Sequence, residues 1–314
     1  MPVKRSGLLA LVFIMTLTLF FPFPRGALGA PEWSDPAYQT ALEDAKIRTA
    51  AEVSRDLTAI TASEPGLIWE GMPGNSRVLV VSWVGPSEFN VSPGTEITLA
   101  REANLWVTVV PQMKEYFARH GIPIPGDPSL RIEQLLGMPP QSGCIKFVEA
   151  WVQPRDLFRP SPDPEVNDHE ATLDFPTDSS SVLTFSPTFT LVEVIQGKPV
   201  EMGYRDWFTN RLATIYTCNE PYPWTGLGYT YNWGKGGDHI GLSEFVVRAG
   251  ANIGIQAVVP TASYFVTPTL LPAGTTAAQI PILIWVVIGI LILTVLLLSF
   301  LLYLVLRRKI RAGH

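Results

Sequence analysis

Seven side chains able to bind a cation or move a proton fall within 16 residues: Asp163, Glu165, Asp168, His169, Glu170, Asp174 and Asp178. Carboxylate oxygens with one imidazole suit a hard or borderline divalent cation, and close spacing lowers the ordering cost of collecting them. The metal set expected from this spacing is Asp163, Glu165, Asp168, His169 and Glu170. It matches neither the Asp-x-Asp-x-Asn-Gly series of a calcium hand nor the His-Glu-x-x-His of a zinc helix. The same stretch also reads as a solvated acidic surface loop.

A second group is aromatic. Tyr222, Trp224, Tyr229, Tyr231 and Trp233 are interleaved with Pro221, Pro223, Gly226, Gly228 and Gly234. Flat rings with polar tips on a glycine-rich loop suit a cleft for a glycan or peptide ligand, and equally suit local packing that stiffens the loop. Asp238, His239 and Glu244 follow closely, while Tyr204, Arg205 and Asp206 open a nearby helix. His169 or His239 beside a carboxylate such as Glu170 is the acid-base pair available to a hydrolase, because imidazole titrates near neutrality.

Cys144 and Cys218 are the two cysteines. A disulfide between them would close a loop of about 75 residues and carry the aromatic run toward the acidic one; two free thiols are the alternative. A Cys-His nucleophile pair conflicts with that bridge. The chain has no Walker phosphate loop, dinucleotide Gly-x-Gly-x-x-Gly, Cys-x-x-Cys or Gly-x-Ser-x-Gly, which removes the chemistries those motifs serve.

The two ends are expected to lie outside any water-soluble core. Residues 1–29 show the export pattern of Lys4 and Arg5, an apolar run, then small residues, so they read as a signal peptide cut before Ala30. Residues 280–306 read as a transmembrane helix, and the basic tail 307–314 as its cytoplasmic end, giving a single-pass type I protein of the cell membrane. Residues 261–279, rich in Pro and Thr, read as a membrane-proximal stalk. Within them Leu271, Pro272, Ala273, Gly274 and Thr275 resemble the cell-wall sorting signal of Gram-positive surface proteins. Gly274 precedes Thr275, however, so the Thr-Gly bond that a sortase cleaves is missing.

Charge narrows the partners. Seven of the 23 basic residues sit at the ends, so the segment between them carries 16 basic against 28 acidic side chains, a net of −12. That balance repels polyanions and excludes nucleic acid as a partner.

The remaining residues, 30–260, are expected to form an α+β, β-rich extracytoplasmic domain opened by an amphipathic helix over residues 35–62. Strands are expected at 67–70, 77–84, 105–110, 144–152, 182–185 and 188–195, helices at 112–120, 129–136 and 204–216, and a hairpin over 242–259. The functional expectation is an anchored binding or interaction protein. The alternative is a metal-dependent or acid-base hydrolase whose site combines residues 163–178 and 222–233.

Overall fold

The computed structural model describes residues 35–101, 104–121, 128–176, 191–195, 198–218, 220–234, 238–266 and 276–277. In chain order these form α1 (Pro36–Ala45), a 3-10 turn (Ala50–Glu52), β1 (Ile68–Trp69), β2 (Val78–Val84), β3 (Glu96–Thr98), β4 (Leu105–Val109), α2 (Val110–His120) and α3 (Ser129–Leu136). There follow β5 (Lys146–Val152), a second 3-10 turn (Pro154–Asp156), β6 (Leu157–Phe158), β7 (Leu191–Ile195), β8 (Lys198–Met202), α4 (Tyr204–Thr214) and β9 (Tyr229–Tyr231). The last elements are β10 (Ile240–Ser243), β11 (Phe245–Val247), β12 (Asn252–Pro260), α5 (Thr261–Tyr264) and β13 (Thr276–Ala277).

The principal sheet has the order β3-β12-β5-β2-β4-β11-β6, with β1 and β13 attached beside β2. Its centre is the antiparallel pair β2 and β5, in register from Val78 opposite Val152 to Val84 opposite Lys146. All seven residues of β2 are buried, because both faces of the sheet are covered. Val78, Val80 and Val84 pack with Leu67, Trp69 and Ile253 on one face, while Leu79, Val81 and Trp83 meet Met113, Phe117 and Ile132 of α2 and α3 on the other. A third cluster, Phe158, Trp207, Phe208, Trp224 and Val246, lies under α4. A fully buried tryptophan hides about 200 Å² and contributes roughly 5 kcal/mol of gross transfer free energy.

Several sequence expectations need correction. The helix expected over residues 35–62 stops at Ala45; Glu52 then accepts a hydrogen bond from the Thr49 N–H at 2.5 Å in a short 3-10 turn. Beyond it the chain runs extended, and Leu57 and Ile60 donate their N–H groups to the carbonyls of His169 and Val166. Val53, Leu57 and Ile60 have helical spacing, but pairing with a distant loop satisfies this backbone instead. The 242–259 hairpin is also absent: β11 pairs with β4 and β6, whereas β12 pairs with β3 and β5. The strand expected at 144–152 forms as β5, almost wholly buried, with Glu149 3.3 Å from Lys114.

The disulfide is not formed. Cys144 is buried and Cys218 exposed, both as free thiols. Cys144 packs with Trp83 and Phe147, whereas the Cys218 Sγ, just past α4, lies by the carbonyls of Ile215 and Glu220. With the bridge goes the link by which Cys218 would have carried the aromatic run toward the acidic loop. Burial pushes the Cys144 thiol up to about 12. Alkylation of the native protein without reductant is therefore expected to label Cys218 quickly and Cys144 only after denaturation. Mass spectrometry of the two peptides checks this.

The described residues form a sheet-rich α+β arrangement with five α-helices, and the transmembrane helix expected at the C-terminal end is corrected. Among the described residues no helix is long and apolar enough to cross a membrane. Segment 280–306, the tail 307–314, the export segment 1–29 and the strand expected at 182–185 lie outside the described residues. The single-pass anchor and the cell-membrane placement drawn from it thus have no structural basis among the described residues. Within 261–279, residues Thr261–Tyr264 form α5, and Thr276–Ala277 pair with β1.

Candidate functional site

The acidic loop begins where β6 ends. Arg159 is wholly buried, and its side chain holds the loop from inside: Nε donates to the Glu165 carbonyl at 3.2 Å, and Nη2 to the carbonyls of Asp168 at 2.7 Å and Thr58 at 3.3 Å. The Tyr204 hydroxyl of α4 donates to the carbonyls of Arg159 and Ser161, pinning the first turn to the domain. The loop is thus an ordered structure anchored by residues from three separate parts of the chain.

Three carboxylates converge on its outer side. Asp163, Glu165 and Asp168 each offer one oxygen, all within 4.8 Å of one another, so this group can hold a metal ion. Asp168 also lies 3.7 Å from Arg159 Nη2. Burial raises the Asp163 and Glu165 carboxyls above their ordinary values; backbone hydrogen bonding at Asp163 opposes this, while Asp168 beside both raises them further. Asn167, with its amide nitrogen toward Glu165, donates to both carboxylate oxygens at 3.1 and 2.8 Å.

His169 and Glu170, expected among the ligands, have other partners. His169 Nδ1 is 2.7 Å from the Leu57 carbonyl and Nε2 is 3.6 Å from Glu64. Glu170 lies 3.6 Å from Arg55. Both partnerships come from segment 53–64, which lies against the loop and ends in a turn over Thr61–Glu64. The Asp174 charge acts on Arg48, and Asp178 lies outside the described residues.

The aromatic run is spread over three packed clusters. Tyr222 and Trp224 join the group under α4, Tyr231 and Trp233 pack on Tyr38 and Leu42 of α1, and Tyr229 packs with Leu57, Ala171 and Leu227. Their polar tips are used internally. Tyr222 and Trp224 donate to Glu244, Tyr229 to the Glu52 carbonyl, Tyr231 to Asp44, and Trp233 to the Met138 carbonyl. Ala171 against Tyr229 does bring the acidic loop and the aromatic run together, without any help from the cysteines.

His239 stacks on Tyr231 at 5.5 Å, with Nε2 3.2 Å from the Tyr229 hydroxyl and 3.9 Å from Glu52. It lines a cavity of about 10 Å³ with Arg48, Glu52, Thr225 and Leu227, room for about one water molecule. Reasoning from sequence missed Arg159; its one signal is a lone arginine after a strand, followed by Pro160, Pro162 and Pro164 and then by carboxylates. No family model, curated protein sequence or solved structure matches this chain.

Proposed function

We propose that this is a binding protein without turnover, whose acidic loop holds a divalent cation of the calcium class on Asp163, Glu165 and Asp168. The convergence of three carboxylate oxygens within 4.8 Å on an internally anchored loop carries this reading. Arg159 offsets one of the three negative charges and leaves two, which matches a divalent ion. Hard oxygen ligands favour calcium or magnesium over zinc. Calcium takes six to eight oxygens, so positions beyond the three side chains fall to carbonyls, water, or oxygens of a glycan or peptide ligand.

Calorimetric titration of the full chain with calcium, magnesium and zinc tests the proposal. One calcium ion per chain is expected. At about 100 times the dissociation constant it stabilises by about 2.7 kcal/mol, or roughly 5–10 °C in melting temperature. Glu165→Gln with Asp163→Asn should abolish the shift, whereas His169→Ala should leave it in place, because that imidazole faces Leu57. Absence of heat and of any melting shift with all three metals would overturn it.

A further inference from the structure

Under α4 a buried acid faces a cation that is paired elsewhere. Glu244 occupies the single residue between β10 and β11 and is 3 % exposed. Its two oxygens accept from the Tyr222 hydroxyl at 3.1 Å and the Trp224 Nε1 at 3.2 Å. Arg211 of α4 is close enough for its charge to act on this carboxyl. Yet its ion pair points to β7, with Nη1 3.5 Å from Glu193. The guanidinium sits 4.7 Å from the Trp106 ring and 5.8 Å from the rings of Trp207 and Trp224. Its Nε is buried with no hydrogen-bond partner.

The Trp224 ring joins the two: its Nε1 donates to Glu244 at 3.2 Å and its centroid lies 5.8 Å from the Arg211 guanidinium, so a donor without an acceptor and an enclosed acid flank one ring, a pairing that awaits one proton's departure. We infer that Glu244 and Arg211 form a pH-operated latch on the β7–β8 hairpin: while Glu244 is neutral Arg211 holds Glu193, and when Glu244 ionises the guanidinium turns inward and releases it. The proton goes to solvent, and no other co-reactant is needed. The charged and titratable groups around the latch are Glu193 on β7, Arg211 on α4, Tyr222 beside Glu244, Tyr38 of α1 near Tyr222, and Arg159 over the neighbouring Phe245 ring at 5.5 Å. Of these, Arg211 alone offers an unpaired donor whose charge acts on Glu244.

Burial pushes Glu244 up to about 8, against the opposing hydrogen bonds of Tyr222 and Trp224 and the charge of Arg211. The neutral acid is therefore the form that folding favours. Its contribution is complete below the ordinary glutamate value and is lost as pH rises through about 8.

Tryptophan fluorescence of the full chain, read between about pH 6 and 9 alongside hydrogen exchange of residues 191–202, tests the latch, since Trp106, Trp207 and Trp224 surround the moving group. Wild type is expected to titrate with a midpoint near 8 and to expose the hairpin above it, relative to Glu244→Gln, which should stay flat. Glu193→Gln, a change at a partly exposed side chain, removes the outward partner and should lower the midpoint by about half a unit, the size of an exposed ion pair. If Glu244→Gln does not fold, wild type and Glu193→Gln carry the test. A flat wild type, a titrating Glu244→Gln, or a Glu193→Gln midpoint equal to wild type would overturn the inference.

Discussion

Gly241→Ala is expected to cost about 3–5 kcal/mol and to lower the melting temperature by roughly 10 °C or more. A methyl group there would press on the Thr230 hydroxyl and carbonyl oxygens and lie 2.7 Å from the Leu135 carbonyl. Two of those three atoms are main chain and cannot swing aside. The third is also committed, because the Thr230 hydroxyl donates to Leu135 and accepts from the Leu242 N–H. Relief would require moving β10 off β9 and off the end of α3. Gly250→Ala makes a fair control: its φ of 73° disfavours a side chain, but nothing lies within 4 Å of the added carbon, so the cost should stay near 1–2 kcal/mol. Thermal unfolding of both variants checks the contrast, and equal losses would contradict the packing described here.

The second large effect is expected at Arg159. Arg159→Met keeps most of the buried stem but strips the donors from the carbonyls of Thr58, Glu165 and Asp168 and leaves Asp168 without its cation. Breaking one side of a buried charged network costs about 3–5 kcal/mol. The loss should be concentrated in the loop. Limited proteolysis is expected to cut first between residues 163 and 176, before global unfolding, and the Asp163 and Glu165 carboxyls should titrate higher still, because Arg159 draws both down. Cleavage appearing elsewhere first would show that the loop does not depend on this arginine.

How far the sequence reveals these features depends on whether the signal is local. α3 was readable end to end, since Gly137 at φ 71° closes it in the left-handed conformation. The valine-rich β2 was readable for the same reason, as an apolar run between turns. The path of residues 53–60 was not, because helical spacing is satisfied equally by an extended segment whose partner lies a hundred residues away. That one error propagated into the site: Leu57 and Arg55 divert His169 and Glu170 from the carboxylate cluster, so two of five expected ligands were misplaced together. The aromatic run was visible, but not its partners, since α1, α4 and the group around Leu57 and Ala171 each claim different rings. The free thiols were equally unreadable, because two cysteines in a sequence carry no information on the distance between them.

The strand order of the principal sheet also sets a timetable. β5 needs β12 as one of its two neighbours, and β4 needs β11, yet about a hundred residues separate Val152 from Asn252. At a ribosomal pace of about 5–20 residues per second, the central strands wait roughly 5–20 s with an open apolar margin. Newly made chains are therefore most vulnerable to self-association late in synthesis, and a nascent chain halted near residue 240 should bind chaperones far more strongly than one released whole.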